Sequence, residues 1–416
     1  MNFNKNKIKS KTISTNIQNK PDYILFILAS VVITVSIIFS YSLSVYTVLY
    51  YDYNQFHFFA RQLFVGIISI LIMWSLSQVE PSRLIGRVGM TLFIVFFLVM
   101  AVMPFLPASM VTASGGANRW VRLPGFSLSP VEFFKIGFIY FLSWSFHRRV
   151  MDQPTKMKWR EEMLLVLPYF GSFLLVVFIV AFMQKDFGQV VLMGGILFIL
   201  LMFANRSMKF FLSLGAVAVA GFVGLIAAAP HRILRIQSWW SMVQDSILSF
   251  MPDFISNELR IEEFPEPYQV SHSLNAIHNG GLTGSGISEG SLKMGFLSEV
   301  HTDFVLAGIT EEIGLVGLIC IVSMIFIIIW RIFRISRRVE NPIYHLFTLG
   351  IGLMIIIAFL INSYGISGII PIKGIAVPFL SYGGSSLLSI AISMGLVLSI
   401  SREVKVKNKQ EVKIKG

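Results

Sequence analysis

The sequence predicts an all-α polytopic membrane protein with about ten transmembrane helices, both termini in the cytoplasm, and a large extracytoplasmic loop between helices 7 and 8. Of its 416 residues, 55% are hydrophobic and 13% are charged, and this charged fraction is about half that of an ordinary soluble domain. The mean hydropathy is +0.73. The apolar residues form blocks of about 20, and a helix of that length crosses a bilayer while satisfying its own main-chain hydrogen bonds.

Ten apolar blocks follow one another along the chain. The fourth block is the least regular, because it contains Glu132 and Lys135. The first is too long for a cleaved signal segment and is interpreted as a retained helix. The single cysteine, Cys320, excludes a disulfide within the chain. The blocks are Tyr23–Tyr46, Phe59–Leu76, Met90–Leu106, Val131–Phe146, Met163–Met183, Val190–Ala204, Phe210–Ala229, Phe304–Trp330, Tyr344–Ser363 and Ala376–Ile400.

The basic residues predict the orientation, since Lys and Arg accumulate on the cytoplasmic side of a membrane. With the N-terminus inside, 24 of the 34 basic residues fall in six cytoplasmic segments. This distribution accounts for the net charge of +12 without a nucleic-acid partner. The predicted organisation is a basic tail over 1–22 that lies on membrane lipid, one transmembrane domain over 23–400, and a second basic tail over 401–416.

The extracytoplasmic loop over 230–303 differs from the other loops. It holds 9 of the 22 acidic residues and the stretch HNGGLTGSG. Its first part, RILRIQSWWSMVQDSILSFM, has basic, aromatic and aliphatic residues at helical spacing, which predicts a helix lying on the membrane surface. A loop of this length in a tight bundle is usually functional.

Ionisable residues inside or beside the apolar blocks are candidates for function, because they are costly in lipid. Glu132 and Lys135 are three residues apart and share one helix face, where they form either a structural or a functional pair. The run Gln184-Lys185-Asp186 is a polar outer turn. Glu312, about two turns into the eighth block, is either an internal hydrogen-bond anchor or a functional group.

Three further stretches carry groups that can bind or react with a polar ligand. An outer loop over Gly115–Arg122 combines two arginines, which suit phosphate, with Trp120, which also suits a membrane interface. Glu299 and Asp303 are four apart, so they can act as general base, metal ligand or helix cap, and His301 between them is more often structural. The small polar residues of Pro378–Ser386 serve either close helix packing or a polar site.

Five stretches resemble, in order, the SEDS family (shape, elongation, division and sporulation) of bacterial cell-wall polymerases. They are GANRWVRLPGFSLSPVEFFK, QKDFGQ, HNGGLTGSG, GFLSEVHTDFVLAGITEEIGLVG and PIKGIAVPFLSYGGSSLL. Together with the helix layout, they cover nearly the whole chain after the first helix. The PIKG sequence before the tenth block and the basic tails are more similar to the division-type members than to the elongation-type members.

The resemblance implies a peptidoglycan glycosyltransferase of the bacterial cytoplasmic membrane that polymerises lipid II at the outer face, at the division septum. Its implied partners are a class B penicillin-binding transpeptidase and other division-complex membrane proteins. Asp303 matches the essential aspartate of the family, as general base or as ligand of a divalent cation, Mg or Mn; no other cofactor is expected. The expected substrate-binding residues, from the resemblance and from charge, are Arg119, Trp120, Glu132, Lys135, Lys185, Arg232, Glu299, His301, Glu312, Ser381, Tyr382, Gly383 and Ser385.

The sequence departs from the family pattern at several points, and other functions remain open. The motif QPSEF is Ser129-Pro130-Val131-Glu132-Phe133 here, QPD is Gln184-Lys185-Asp186, and His272 replaces a glutamine. The segment Ser241–Glu266 is longer than expected. The alternatives are an elongation-type polymerase, a lipid II flippase and a non-catalytic scaffold. The gathering of polar residues at the outer face disfavours the flippase, which needs a site near the midplane.

Overall fold

The computed structural model describes residues 20–107, 109–114, 117–123, 126–151, 158–203, 208–261, 268–297, 300–371 and 374–404. Helices dominate these residues. They are α1 (Tyr23–Leu43), α2 (Val45–Tyr50), α3 (His57–Ser77), α4 (Pro81–Val102), α5 (Pro130–Phe146), α6 (Trp159–Val177), α7 (Phe187–Phe203), α8 (Met208–Ala227), α9 (Pro230–Leu248), α10 (Asp253–Leu259), α11 (Tyr268–Gly280), α12 (Val305–Ser336), α13 (Pro342–Ile366) and α14 (Gly384–Ser401).

Each of the ten predicted apolar blocks overlaps one of these helices, namely α1, α3 to α8, and α12 to α14. Within the described ranges, seven helices are long and apolar enough to cross a membrane, or up to eight if the bent pair of α8 and α9 is one span. Helices α5 and α7 are shorter, with 17 residues each. A polytopic helical membrane protein is therefore confirmed, whereas ten crossings and the orientation stay predictions.

A small antiparallel sheet corrects the all-α prediction. Its strands are β1 (Val111–Ser114), β2 (Ala117–Leu123) and β3 (Phe126–Leu128), and they pair in the order β1-β2-β3. Val121 in the middle strand pairs with Val111 on one side and with Leu128 on the other. Strands β1 and β3 have only four and three residues, and the seven residues of β2, ANRWVRL, do not alternate between polar and apolar, so no strand is predicted here.

The loop between α8 and α12 is largely helical. Helix α9 departs from α8 at an angle of 101°, so the two cannot both run along the membrane normal. The indole of Trp239 donates to the carbonyl of Gly368 at 2.7 Å, which attaches α9 to the C-terminal end of α13. A helix is thus present over the predicted stretch, as α9, and its place on the membrane surface stays a prediction. Of the long segment Ser241–Glu266, residues 262–266 lie outside the described residues.

Helix α12 is broken at Gly314, which has a left-handed φ of 70°. The amides of Leu315 and Val316 therefore donate to the carbonyls of Gly281 and Leu282, at 3.0 and 3.2 Å. In return, the carbonyls of Glu311 and Glu312 accept the amides of Ser285 and Gly286, both at 2.9 Å. The Gly-rich stretch HNGGLTGSG thus replaces the helical hydrogen bonds lost at the break, as broken helices in membranes require.

The buried centre of the bundle is formed by α13 and α14. Helix α14 packs along α3, and α4 packs along α5. At the end of the bundle opposite Asp303, the carboxylate of Asp22 caps α1 and binds Arg331 of α12 at 2.7 Å. Helix α14 begins at Gly384 and not at Ala376 as predicted, because the residues before Gly384 form turns.

We expect Gly314→Ala to destabilise the fold. A methyl group at residue 314 would collide with the main chain of Leu282 and Gly284, and the left-handed φ itself disfavours any side chain. Strain of this kind costs about 1–3 kcal/mol before the collision is added. The measurement is the midpoint of thermal unfolding in detergent, followed by size-exclusion chromatography.

Gly221→Ala in α8 is the matched control, because a methyl group there meets no atom within 4 Å. We expect the midpoint of this variant to be unchanged or slightly raised, since alanine favours a helix. Equal midpoints for the two variants would contradict the tight docking of the Gly-rich turn on α12.

Candidate functional site

Asp303 lies at the N-terminal end of α12, just before the residue that caps that helix, Phe304. Its side chain is partly exposed. The main-chain carbonyl of Asp303 accepts a hydrogen bond at 2.7 Å from the side-chain amide of Asn362 in α13. The same side-chain amide also donates to the main-chain carbonyl of Ile375 at 2.8 Å. One buried amide therefore joins α13, the loop before α12 and the segment that leads to α14.

The carboxylate of Asp303 and the guanidinium of Arg119 meet at Gly374. A Cβ atom on Gly374 would lie 3.0 Å from Oδ2 of Asp303 and 3.8 Å from Nη1 of Arg119. Gly374 has a left-handed φ of 60°, a conformation that glycine adopts at no steric cost. The main chain therefore passes close to both charged groups, and the site has an anion and a cation within reach of one bound molecule.

Asp186 lies at the Nε edge of the Arg119 guanidinium, the edge away from Gly374. Its Oδ2 lies 3.3 Å from Nε of Arg119, and its side chain is almost fully buried. Burial raises the pKa of Asp186 above its ordinary value, while the charge of Arg119 and the amide of Gln189 lower it. The charge of Arg119 therefore favours the ionised form of Asp186 against the effect of burial. Asp186 lies at the Nε edge of the guanidinium, and Nη1 lies on the side of Gly374.

The predicted pair of Glu132 and Lys135 is present, with 2.9 Å between Oε2 and Nζ. The other carboxylate oxygen of Glu132 accepts a hydrogen bond from the side chain of Gln189 at 3.0 Å. The pair borders a small cavity between α5, α13 and α14, whose polar lining also includes Ser386 and Ser389. The charge of Glu132 also acts on Asp186, so both pairs belong to one charged network.

The small polar residues of Pro378–Ser386, at the start of α14, attach the loops of the site to the helices. Ser381 accepts the amide of Val377 at 2.8 Å and donates to the carbonyl of Thr302 at 2.7 Å. The amide of Tyr382 donates to the carbonyl of His301 at 2.9 Å, and the two rings lie 5.5 Å apart. These contacts fix the two residues that precede Asp303.

Gly383 and Ser385 continue this attachment on the other side. The amide of Gly383 donates to the side-chain oxygen of Gln62 at 3.4 Å. The hydroxyl of Ser385 accepts the amide of Ser129 at 2.9 Å and donates to the carbonyl of Ser127 at 3.3 Å. The small polar residues thus serve to join loops to helices, and the sheet is held against α14 by one of them.

The remaining predicted residues are distributed around this centre. Trp120, beside Arg119 in β2, is partly exposed, and Lys185 is exposed with a left-handed φ of 56°. Arg232 donates to the carbonyls of Leu225 and Ala181, at 2.5 and 2.8 Å, so it satisfies main-chain groups of neighbouring helices. Glu299 lies outside the described residues.

Glu312 is buried next to Lys293, with 2.5 Å between Oε1 and Nζ. Among the described residues, no group of three or more His, Cys, Asp or Glu side chains could hold a metal ion, and a divalent cation at Asp303 stays a prediction. Sequence reasoning did not select Asp186, Gln189, Lys293, Asn362 or Gly374. The family-like stretches QKDFGQ and PIKG contain Asp186, Gln189 and Gly374, and no local pattern marks Lys293 or Asn362.

The family model described as "Cell cycle protein", FTSW_RODA_SPOVE, matches residues 22–406. The chain belongs to this family. The membership confirms the resemblance drawn from the sequence motifs. Because the match spans all the described helices and both the Asp303 and the Arg119 segments, the site described above lies within the part of the chain that the family shares.

Two named relatives cover almost the whole chain. A Helicobacter pylori protein named "Probable peptidoglycan glycosyltransferase FtsW" is 48% identical over 383 residues, which is 92% of this chain and 98% of that protein. The "Stage V sporulation protein E" of Bacillus subtilis is 30% identical over 389 residues, covering 93% of this chain and 99% of the relative.

Two solved structures share the fold. A chain of a peptidoglycan synthase complex, described as coordinating polymerization and crosslinking, has a TM-score of 0.66 at 20% identity and covers 92% of this chain and 98% of its own length. Thermus thermophilus RodA has a TM-score of 0.59 at 20% identity, covering 93% and 98%. At this identity, the likeness is one of fold alone.

We expect Arg119 and Asp186 to be energetically coupled. In a double-mutant cycle with Arg119→Ala and Asp186→Asn, the effects on the free energy of unfolding should depart from additivity by at least about 1 kcal/mol, because each charge compensates the other in a buried place. The measurement is equilibrium unfolding in mixed detergent micelles.

The pair of Arg260 and Asp245 serves as the control cycle. Its two atoms are 3.0 Å apart, closer than those of the buried pair, but both side chains are well exposed. Exposed pairs couple by about 0–1 kcal/mol. A coupling free energy between Arg119 and Asp186 that is as small as that of the control pair would mean that Asp186 does not orient Arg119.

Proposed function

We propose that this protein is a peptidoglycan glycosyltransferase that polymerises lipid II into glycan strands at the outer face of the bacterial cytoplasmic membrane. The observation that carries the proposal is the meeting of the Asp303 carboxylate and the Arg119 guanidinium at Gly374. Family membership and the name of the 48% identical relative support the same activity.

The proposed reaction is one displacement at a sugar carbon. A hydroxyl of one sugar attacks the anomeric carbon of another, the new C–O bond forms, and the bond to the polyprenyl pyrophosphate breaks. Asp303 takes the hydroxyl proton as general base. The α-linked donor gives a β-linked product, so a single inverting step is sufficient and no covalent enzyme intermediate is needed.

The leaving pyrophosphate requires positive charge close to its oxygens. Arg119 is suited to this role because its planar guanidinium can make paired hydrogen bonds to phosphate. Oδ2 of Asp186 forms an ion pair with Arg119, 3.3 Å from Nε, and Nη1 lies on the Gly374 side of the site. Lys135 lies deeper in the bundle beside the cavity, where its charge is shared with Glu132.

The finer assignments belong to the same proposal. The similarity to a relative named FtsW favours a role in division over one in elongation, and hence a septal location. The fold is also that of a chain in a peptidoglycan synthase complex. We therefore propose a class B penicillin-binding transpeptidase as the partner, with other division-complex membrane proteins around it. A lipid II flippase is the competing function, for which the buried Glu132–Lys135 pair would be the transport site.

We expect Asp303→Asn to abolish most glycan synthesis without loss of folded protein. Asparagine keeps the shape of the side chain but cannot take the proton, and general base catalysis is worth roughly 10²–10⁴-fold. The measurement is the number of glycan chains made from labelled lipid II per mole of monodisperse purified protein, with and without the transpeptidase partner.

Asp253→Asn is the control, because Asp253 is an exposed carboxylate of the outer loop, in the first turn of α10. We expect normal turnover from this variant. Near-normal turnover by Asp303→Asn would remove Asp303 from the mechanism. A wild-type protein that moves lipid II across vesicle membranes but never polymerises it would favour the flippase.

The proposed topology places both tails and the Arg148–Arg149 segment in the cytoplasm, and α9 and α10 outside. In a Cys320→Ser background, a cysteine at Phe250, whose side chain is 91% exposed, should react with an impermeant maleimide in intact cells. A cysteine at Arg149 should react only after the cells are opened. The reverse pattern would invert the topology and exclude an outer-face site.

A further inference from the structure

Two consecutive carboxylates at the break in α12 bind the same segment of the loop over 230–303, called the outer loop below. Oε1 of Glu311 accepts the amides of Ser291 and Leu292, at 2.8 and 3.0 Å, and the hydroxyl of Ser291 at 3.2 Å. Glu312, the next residue, binds Lys293 of that segment. The loop is therefore attached to the helix break by side chains as well as by the main-chain hydrogen bonds of the Gly-rich turn.

Lys293 and Glu312 form an ion pair that is fully removed from solvent, with both side chains 0% exposed. The ammonium group also donates to the hydroxyl of Ser42 in α1 at 2.9 Å, and that hydroxyl donates to the same oxygen of Glu312. Ser288 donates to Ser42 at 3.3 Å. Three parts of the chain, namely α1, the outer loop and α12, thus meet at one buried charge pair.

The stability of the fold does not by itself explain such a pair. Two charges taken out of water lose more hydration energy than they usually regain from each other, and apolar side chains of similar volume often serve stability equally well. A buried pair does impose one arrangement of its neighbours, since a lone charge left there has no substitute partner. The pair of Lys293 and Glu312 is therefore better suited to fixing a position than to adding stability.

Asp303 lies two residues before the helical element whose position the pair fixes. Residues Val305–Ile313 form a separate half-helix between the cap at Phe304 and the break at Gly314. Nearly all its side chains are buried, and Gly308 is in close contact with Leu43, the neighbour of Ser42 in α1. The half-helix is about 13 Å long at 1.5 Å per residue, so Glu312 at one end and the residues that follow Asp303 at the other belong to one short helical segment.

We propose that Lys293 is a positioning residue for the reaction and that Glu312 acts through Lys293 and not on the substrate. This inference rests on the proposed function, since it assigns the catalytic step to Asp303. The pair holds the half-helix against α1 and the outer loop, so that the carboxylate of Asp303 stays beside Gly374 and Arg119.

The test compares Lys293→Met, Glu312→Gln and the charge-exchanged double variant Lys293→Glu/Glu312→Lys in lipid II polymerisation. Each single variant leaves one charge buried without its partner. We expect kcat to fall by about 10²-fold, the loss that a 1 Å misplacement can cause, while KM for lipid II changes little. The double variant rebuilds the ion pair with the two charges exchanged, and we expect it to recover most of kcat.

Arg260→Met is the matched control, an outer-loop cation whose partner Asp245 is exposed, and its kcat should be normal. A double variant as inactive as Glu312→Gln alone would overturn the inference, because Glu312 would then act on the substrate. Normal kcat in the single variants, or a raised KM at unchanged kcat, would overturn it too. If a single variant fails to fold, the double variant decides between these outcomes.

Hydrogen–deuterium exchange gives a readout that does not depend on the reaction. The main-chain amides of Ser285 and Gly286 donate to the main-chain carbonyls of Glu311 and Glu312. These amides should exchange faster in each single variant than in the wild type or the double variant. Equal exchange in all four proteins would contradict the positioning role. If the wild-type protein is inactive, the proposed function is refuted. The exchange result then tests by itself whether the ion pair holds the loop on α12.

Discussion

The break in α12 at Gly314 is the constraint on which the rest of the site depends. A helix inside an apolar bundle cannot leave main-chain groups without partners, because no water is present to satisfy them. The break removes the hydrogen bonds that the amides of Leu315 and Val316 would make within the helix, and the Gly-rich turn replaces them with four to its own main chain. The loop between α8 and α12 therefore completes the main-chain hydrogen bonding of α12.

The broken helix determines where the charged groups lie. The half-helix Val305–Ile313 ends inside the bundle, so its N-terminal end presents Asp303 towards the segment before α14. The left-handed turn at Gly374 then brings the main chain beside both Asp303 and Arg119. Arg119 is in turn held by Asp186, so the charges of the site alternate in sign and are arranged before any substrate arrives. Such preorganisation is the usual source of large catalytic effects.

The sequence predicted the features that depend on neighbours along the chain, and it missed those that depend on distant ones. The apolar blocks located the helices, and the spacing of three residues predicted the Glu132–Lys135 pair. The pairing of Arg119 with Asp186 and of Lys293 with Glu312 joins residues on separate elements, and no local pattern marks them. The break at Gly314 was also missed, because an isolated glycine inside an apolar block is common in transmembrane helices.

The most direct test of this site is an electron cryo-microscopy structure of the protein bound to undecaprenyl pyrophosphate, the leaving group of the proposed reaction. We expect the pyrophosphate within hydrogen-bond distance of the Arg119 guanidinium and on the Gly374 side of Asp303, with the polyprenyl chain running between helices towards the membrane. A pyrophosphate bound at the cytoplasmic end of the bundle, or at the outer face but away from both Arg119 and Asp303, would contradict the assignment of the reaction to this site.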